Sequence, residues 1–191
     1  MTLKEDYRIK KTKRSLISAF MKLLEEKSID DITVVELCDR ADVRRTTFYK
    51  HYRDKNDYVM SFSEILRKKF DALYKSDSDE VSVSYFVEYA RHMIYFIAQH
   101  EGIINNIRES TLFPTVLTAL NEQNYEDTYK YLVRYKENGG ELFCSCEVAA
   151  SMIVGGVSGV IQTWLKSAEK RPAGEIADEV ADIIKRIFSE K

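Results

Sequence analysis

Side chains that donate hydrogen bonds are concentrated in one short run, RRTTFYKHY, which begins at Arg44. The run holds two guanidinium groups, two aliphatic hydroxyls, two phenols, an ammonium and an imidazole. Its members Phe48 and Tyr52 are four residues apart and share one side of a helix, which leaves the donors on the other side. Such donors match the acceptors that line a nucleic-acid groove and its phosphates. The spacing predicts a short helix over residues 44–52 that inserts into a groove, with Phe48 and Tyr52 in the core.

Two helices must come before this run to position it. Residues 12–27 carry apolar side chains at three- and four-residue steps, which predicts a first helix. Thr33 precedes an apolar run with Glu36 three positions on, the spacing of a capping box, so a second helix should cover residues 34–40. Residues 41–43 form the turn. Together these elements predict a helix-turn-helix.

The rest of the chain is predicted to be helical as well, so the expected class is all-α. Only two prolines and seven glycines interrupt 191 residues that are 45% hydrophobic and rich in helix formers. An acidic, serine-containing loop is expected at residues 75–80. We expect an N-terminal domain over residues 1–55 and a C-terminal helical bundle over residues 56–191. Further helices are predicted at residues 58–74, 83–100, 102–108, 112–137, 146–166 and 173–188.

Charge is distributed unevenly between these two parts. The whole chain carries a formal net charge of -2, but residues 1–55 carry +4 and residues 56–191 carry -6. A basic cluster near the N-terminus suits contact with phosphates, although a solvated helix end would have the same composition. Its members are Lys4, Arg8, Lys10, Lys11, Lys13 and Arg14.

Several classes of protein are disfavoured by what the sequence contains. The N-terminus is polar and basic, unlike a signal peptide, and no apolar run approaches the roughly 20 residues that cross a bilayer. We therefore expect a cytoplasmic protein that does not contact a membrane. Signatures of an enzyme or of a cofactor are not evident, so neither is expected. His92 and His100 lack partners at metal-ligand spacing, and no metal site is predicted.

Residues 32–55, ITVVELCDRADVRRTTFYKHYRDK, resemble the DNA-binding domain of the TetR family of transcriptional regulators. The matching features are the Thr that opens the second helix, the Ala-x-Val turn, the Thr-Phe-Tyr of the third helix, and a Lys three residues after an aromatic. One position departs from the pattern, because Asp42 stands where the family usually has Gly. Aspartate tolerates left-handed backbone angles, but its charge would lie near phosphates.

The resemblance implies roles for individual residues. Thr33 would bind a phosphate, and Tyr49 and Lys55 would hold the DNA backbone on either side of the recognition helix. Arg45 is the first choice for a guanine, because its fork matches O6 and N7. Simpler roles also fit: a helix cap for Thr33, packing against the first helix for Tyr49. The candidates for base edges and nearby phosphates are Arg44, Arg45, Thr46, Thr47, Lys50 and His51, of which His51 also fits a surface imidazole.

The segment from Met152 to Leu165, followed by Pro172 and a last amphipathic helix, resembles a C-terminal domain of TetR-type proteins from Gram-positive bacteria. The segment contains Gly155, Gly156 and Gly159, and each glycine destabilises the helix by about 1 kcal/mol relative to alanine. Close packing against another helix could offset this loss. We therefore expect a homodimer through the last two long helices. Two recognition helices would then read half-sites about 34 Å apart in a near-palindromic operator of double-stranded DNA.

Aromatic residues are abundant in the predicted helices 83–100 and 112–137, where they could line a ligand pocket or form ordinary core. The candidates for contact with a small-molecule effector are His92, Met93, Phe96, Tyr131 and Trp164. The sequence is thus interpreted as a ligand-responsive repressor. The alternative is a co-activator that acts through a protein partner, for which Asp42 and the acidic second domain leave room.

Overall fold

The computed structural model describes residues 3–74 and 82–188 of the chain, and the acidic loop predicted at residues 75–80 lies outside them. Within this part, α-helices and a single 3-10 turn, Ile29–Asp31, form the regular structure, with one isolated antiparallel bridge from Leu142 to Phe188. The all-α prediction is confirmed. The helices are α1 Leu3–Glu26, α2 Val34–Ala41, α3 Arg45–Phe48, α4 Lys55–Tyr74, α5 Val83–Gln99, α6 Glu101–Arg108, α7 Phe113–Glu137, α8 Cys146–Lys166 and α9 Ala173–Ile187.

Three helix ends differ from the sequence-based expectation by three residues or more. Helix α1 begins at Leu3 rather than at residue 12, because the polar residues before its apolar stripe are mostly good helix formers. Helix α3 ends at Phe48 rather than at Tyr52, where the backbone tightens into a turn and His51 N donates to Phe48 O at 2.9 Å. Helix α4 starts earlier than predicted because the Asp54 carboxylate accepts from Asp57 N at 2.8 Å, as an N-cap does.

The chain folds into two compact units, and each unit is built from two separate segments of the sequence. The first unit is Met1–Leu66 with His100–Val116, and the second is Arg67–Gln99 with Leu117–Lys191. Helix α6 therefore packs with the helix-turn-helix. The functional division predicted after residue 55 remains a prediction.

The core of the first unit is built on the apolar stripe of α1 and on a cluster of aromatic rings. Phe20 lies edge-on to Tyr58 and Phe62, with ring centroids 5.2 and 4.9 Å away. Phe48 and Tyr52 are buried against the same Tyr58 ring. Their predicted place in the core is confirmed, and α3 is held to the unit through them.

The hydroxyl of Tyr58 is buried and has no hydrogen-bond partner among the described residues. Burial also holds the pKa of this phenol well above its ordinary value, so it stays neutral. Since an unsatisfied buried hydroxyl is costly, Tyr58→Phe should raise the free energy of unfolding by about 1 kcal/mol. Chemical denaturation followed by circular dichroism would measure it.

Tyr131 is the matched control for this substitution. Its hydroxyl accepts from Ser82 N at 2.8 Å and donates to Ser82 O at 3.3 Å. Tyr131→Phe should therefore lower the free energy of unfolding by about 1 kcal/mol, the opposite sign. A loss of stability from both substitutions would contradict the assignment of Tyr58 as unsatisfied.

The corner between α6 and α7 is fastened to the 3-10 turn by the carboxylate of Asp30. Ser110 Oγ donates to Asp30 Oδ1 at 2.7 Å, and Thr111 N donates to Asp30 Oδ2 at 2.8 Å. The Thr111 backbone bond and then the Ser110 hydroxyl hold the pKa of Asp30 below its usual range. Asn106 Nδ2 adds a bond to Leu24 O at 2.8 Å. These bonds join α6 to the end of α1 within the first unit.

In the second unit, α5 and α9 bury their apolar faces against each other. The buried residues of α9, among them Ile176, Val180 and Ile184, recur at helical spacing. On α5 the buried residues include Phe86 and Ile94. This pairing leaves the opposite face of α9 exposed.

Helix α8 is long and apolar enough to cross a membrane by length and composition alone. The sequence-based expectation that no segment reaches this length is therefore wrong, because Gly, Ser and Thr dilute the apolar run without adding charge. Only 28% of its most apolar window is buried within the chain. The other residues of that window are half-buried or exposed in the described part of the chain.

Candidate nucleic-acid interface

The turn between α2 and α3 sets the angle at which the donor-rich segment leaves the core. Asp42 has φ 52° and ψ 44°, in the left-handed region. Its N–H donates to Asp39 O, and Val43 N donates to Cys38 O at 2.9 Å, so the end of α2 is satisfied. Asp42 therefore adopts the backbone conformation that favours glycine, and the departure from the usual residue leaves the turn intact.

Most of the predicted contact residues lie on the surface around α2 and α3. We call the set of nine predicted residues the donor surface. Thr47, His51 and Lys55 are half-buried. The exposed members are Thr33, Arg44, Arg45, Thr46, Tyr49 and Lys50.

Thr33 caps α2 as predicted. Its Oγ1 accepts from Glu36 N at 3.1 Å, which is one half of a capping box. The Glu36 carboxylate pairs with Lys27 Nζ at 2.7 Å instead of reaching back to the cap. The Thr33 hydroxyl proton is therefore still able to donate to a phosphate oxygen.

Tyr49 follows the end of α3, with 55% of the residue exposed. Its ring lies edge-on to Phe48 at 5.4 Å between centroids. The Phe48 ring is buried, whereas more than half of Tyr49 is exposed. This arrangement presents the Tyr49 phenol to a ligand outside the chain.

Lys55, at the start of α4, already has partners within the chain. Its Nζ donates to Ile29 O and Asp30 O, at 2.9 Å in each case. These bonds tie α4 to the 3-10 turn. An ammonium has three N–H groups, so one remains for the predicted phosphate contact.

The basic cluster near the N-terminus belongs to α1, whose buried residues begin at Leu16. Arg8, Lys11 and Arg14 are exposed along the first turns of the helix. The side chain of Lys4 lies outside the described part of the chain. The cluster is thus carried by a helix that starts before the core.

The five predicted effector contacts are not brought to a single site. Trp164 is buried and its Nε1 donates to Arg171 O at 2.9 Å, whereas His92 is exposed and its Nδ1 lies 2.7 Å from Glu88 O. Met93 is half-buried. A cleft of about 640 Å³ between α7 and α8 and one of about 490 Å³ beside α5 and α9 contain none of the five.

Two of the five, Phe96 and Tyr131, belong to a connected series of rings, in which Tyr131 also lies 4.8 Å from the buried Phe86. Phe96 contacts Phe70 at 5.8 Å, and Phe70 contacts Tyr89 at 5.3 Å. Tyr85 lies 6.0 Å from Tyr89 and stacks on Tyr131 at 5.0 Å. We call these five half-buried residues the aromatic wall. It belongs entirely to the second unit.

The three glycines of α8 are exposed, and a Cβ added at Gly155, Gly156 or Gly159 would meet nothing within 4 Å. No close approach by any described residue therefore explains them. Met152, 60% exposed, and the half-exposed Val148 lie on the same face at helical spacing. This apolar, glycine-rich face of α8 is called the α8 face below.

Comparison with known proteins relates the sequence of the helix-turn-helix to regulators of transcription. The sequence profile described as "Bacterial regulatory proteins, tetR family" matches residues 16–59, which include the donor surface. An uncharacterised HTH-type transcriptional regulator of Haemophilus influenzae is 22% identical over 132 residues, 68% of this chain and 64% of its own length. The HTH-type regulator YdeS of Bacillus subtilis is 31% identical over 93 residues, 49% of this chain and 46% of its own length.

The similarity at the level of structure extends over almost the whole chain. A TetR transcriptional regulator from Streptococcus agalactiae superposes with a TM-score of 0.61 at 23% identity, covering 96% of this chain and 99% of that one. The fold therefore consists of an N-terminal helix-turn-helix part and a C-terminal helical part. Each of the three proteins is described as a regulator of transcription.

Proposed function

Since the chain belongs to the TetR family of bacterial regulatory proteins, we propose that it binds a near-palindromic operator as a homodimer and represses transcription, and that a small-molecule effector relieves this repression. The observation that carries the DNA-binding part is the donor surface. Six of its nine residues are exposed, while the buried Phe48 anchors the segment in the core. This is how a recognition helix is presented to a major groove.

Within the donor surface, we assign base readout first to Arg45. It opens α3 and is exposed, and its planar fork matches the O6 and N7 acceptors of guanine. Thr33, Tyr49 and Lys55 are proposed to hold phosphates on either side. The basic cluster of α1 would add contacts to the DNA backbone.

We propose that the α8 face forms the dimer interface. It is apolar and exposed, and its glycines have open space within the chain, which is expected if a second chain approaches closely there. A partner chain would also cover the apolar surface that makes α8 resemble a membrane span. On this proposal the protein is cytoplasmic.

The contribution of α9 to the dimer has less support than that of α8. The apolar face of α9 packs on α5. Near the start of the helix, its exposed face carries Glu175 and Glu179, which both pair with Arg171, a residue that precedes α9. Ile183, 57% exposed, is the large apolar residue on that face. We therefore place the centre of the interface on α8.

The effector is proposed to act by binding one of two states more tightly. An effector that is held by the second unit and favours the state with lower operator affinity would release the DNA. The fall in operator affinity can be no larger than the difference between the effector's affinities for the two states. Equal operator affinity with and without saturating effector would show that this mechanism is wrong.

The experiment for DNA binding is selection of operator fragments by the purified protein, followed by titration of the selected duplex. A near-palindromic site and a steep fall of affinity with salt are expected. Arg45→Ala should lose about 1–3 kcal/mol of discrimination at one base pair in each half-site. Tyr49→Phe, the matched variant at a phosphate contact, should weaken binding to all sequences alike.

Failure of this experiment would have a definite meaning. If no sequence is enriched and binding does not depend on salt, the chain does not read DNA, and the co-activator alternative with a protein partner gains support. If Arg45→Ala leaves the base preference unchanged, readout belongs to other members of the donor surface.

A further inference from the structure

Arg67 is a largely buried cation in the second unit, and it takes no part in the proposed DNA contacts. It lies on α4, and only 9% of its side chain is exposed. Its Nη1 pairs with Asp127 Oδ2 at 2.7 Å. Its Nε is buried and makes no hydrogen bond to any residue in the part of the chain that the structure describes.

A guanidinium carries five N–H donors and no acceptor, and burial without partners is costly. The pairing with Asp127 uses one nitrogen and leaves the bidentate fork incomplete. Asp127 is itself 48% exposed, and its Oδ1 accepts from Gln123 Nε2 at 3.2 Å. The guanidinium is therefore less exposed to solvent than the group that compensates its charge.

An aromatic residue follows Arg67 on the same helix. Phe70, three residues further along α4, is a member of the aromatic wall, and side chains three apart are neighbours on a helix. The wall is half-buried over Phe70, Tyr85, Tyr89 and Phe96. A pocket with apolar walls and one fixed polar group is the usual form of a small-molecule site.

We propose that Arg67 and the aromatic wall form the effector site, and that the effector is an organic anion with an apolar body. Its carboxylate or sulfonate would complete the guanidinium fork, which Asp127 engages at one nitrogen, and its body would lie on the wall. The proposal rests on the effector-responsive function proposed above and adds the chemical class of the effector. The cleft between α7 and α8 is a less suitable place for an anion, because Glu122 and Glu126 line it.

Two probes of matched shape test the class of ligand. Anilinonaphthalene sulfonate is an aromatic anion, and anilinonaphthalene has the same rings without the charge; both fluoresce more strongly in apolar sites. Arg67→Gln should weaken binding of the sulfonate about tenfold or more and leave the neutral probe unchanged. Asp127→Asn should strengthen binding of the sulfonate, since it removes the competing carboxylate.

Arg91→Gln is the control, because Arg91 also lies in the second unit and pairs with Asp178 at 2.5 Å. It should leave the affinity for both probes unchanged. Circular dichroism melting of each variant shows whether the chain is folded. In Asp127→Asn, the sulfonate should also raise the melting temperature more than it does in the unsubstituted chain.

The inference is wrong if the unsubstituted protein binds neither probe, if Arg67→Gln weakens both probes equally, or if it weakens neither. A structural ion pair would give the last result, together with a lower melting temperature for both Arg67→Gln and Asp127→Asn. Titration of the operator without any probe is measured in parallel. Its outcome shows independently whether the DNA-binding proposal holds.

Discussion

The variant Gly156→Glu should behave as a single chain of 22.2 kDa and lose affinity for the operator by about 100-fold or more. A Cβ at this position meets nothing within 4 Å, so the substitution fits within the protomer. It also removes a helix-interior glycine, which should stabilise α8 by up to about 1 kcal/mol. A carboxylate in the α8 face, however, cannot be buried against a second chain without a partner.

The loss of affinity follows from the link between two binding sites. A dimer places its second recognition segment at a high effective concentration once the first is bound, and a monomer lacks this advantage. Sedimentation or light scattering gives the mass, and titration of the selected duplex gives the affinity. Both should change together.

Gly102→Glu is the matched control. Gly102 lies in α6, is exposed and also has open space around its Cβ position. The same substitution there should leave both the mass and the operator affinity unchanged. If Gly156→Glu remains dimeric, the α8 face is not the interface.

The second large effect is expected from Phe48→Ala, which should lower the free energy of unfolding of the first unit by about 3–5 kcal/mol. Phe48 is fully buried and contacts the rings of Tyr52 and Tyr58. Its removal leaves a cavity below the turn that carries the donor surface. Operator binding should then fall because the surface is no longer held in one geometry.

Tyr49→Ala provides the comparison at the neighbouring position. Because Tyr49 is largely exposed, its removal should change stability little while it weakens operator binding for all sequences. Denaturation curves and hydrogen exchange in α1 to α4 separate the two effects. If Phe48→Ala left exchange in α2 and α3 unchanged, the anchoring role of Phe48 would have to be abandoned.

Sequence patterns were sufficient for the local elements. The three- and four-residue steps of α1 and the Thr33 cap of α2 each act over a few residues. Helix α2 is found within one residue of its predicted bounds, and α1 covers the predicted stripe although it begins earlier. The pair Phe48 and Tyr52 was placed in the core for the same reason. Even Asp42 was identified as a residue that tolerates the left-handed angle it adopts.

The tertiary structure decided what lies together over long distances in the chain. Asp30 meets Ser110 and Thr111 across some eighty residues, which places α6 with the helix-turn-helix and not with the second unit. Lys55 is bound to the 3-10 turn, and Trp164 to Arg171, although both were predicted to contact ligands. The sequence could not show these partners, because periodicity reports which face of a helix is apolar and not what packs on it.

Arg67 illustrates the same limit. In the sequence it is one of several charged residues beside the apolar stripe of α4. The one signal that distinguishes it is its spacing of three residues from Phe70, which puts the two side chains on neighbouring positions of the helix. Its burial, its single pairing with Asp127 and its spare Nε arise from the packing of α4 with α7. Local spacing thus determined the all-α class and the donor-rich third helix, and the family resemblance supplied the roles of the donor surface. Contacts between residues far apart in the chain decided which side chains are buried, and local periodicity does not encode those contacts. The proposed effector and dimer sites depend on that burial.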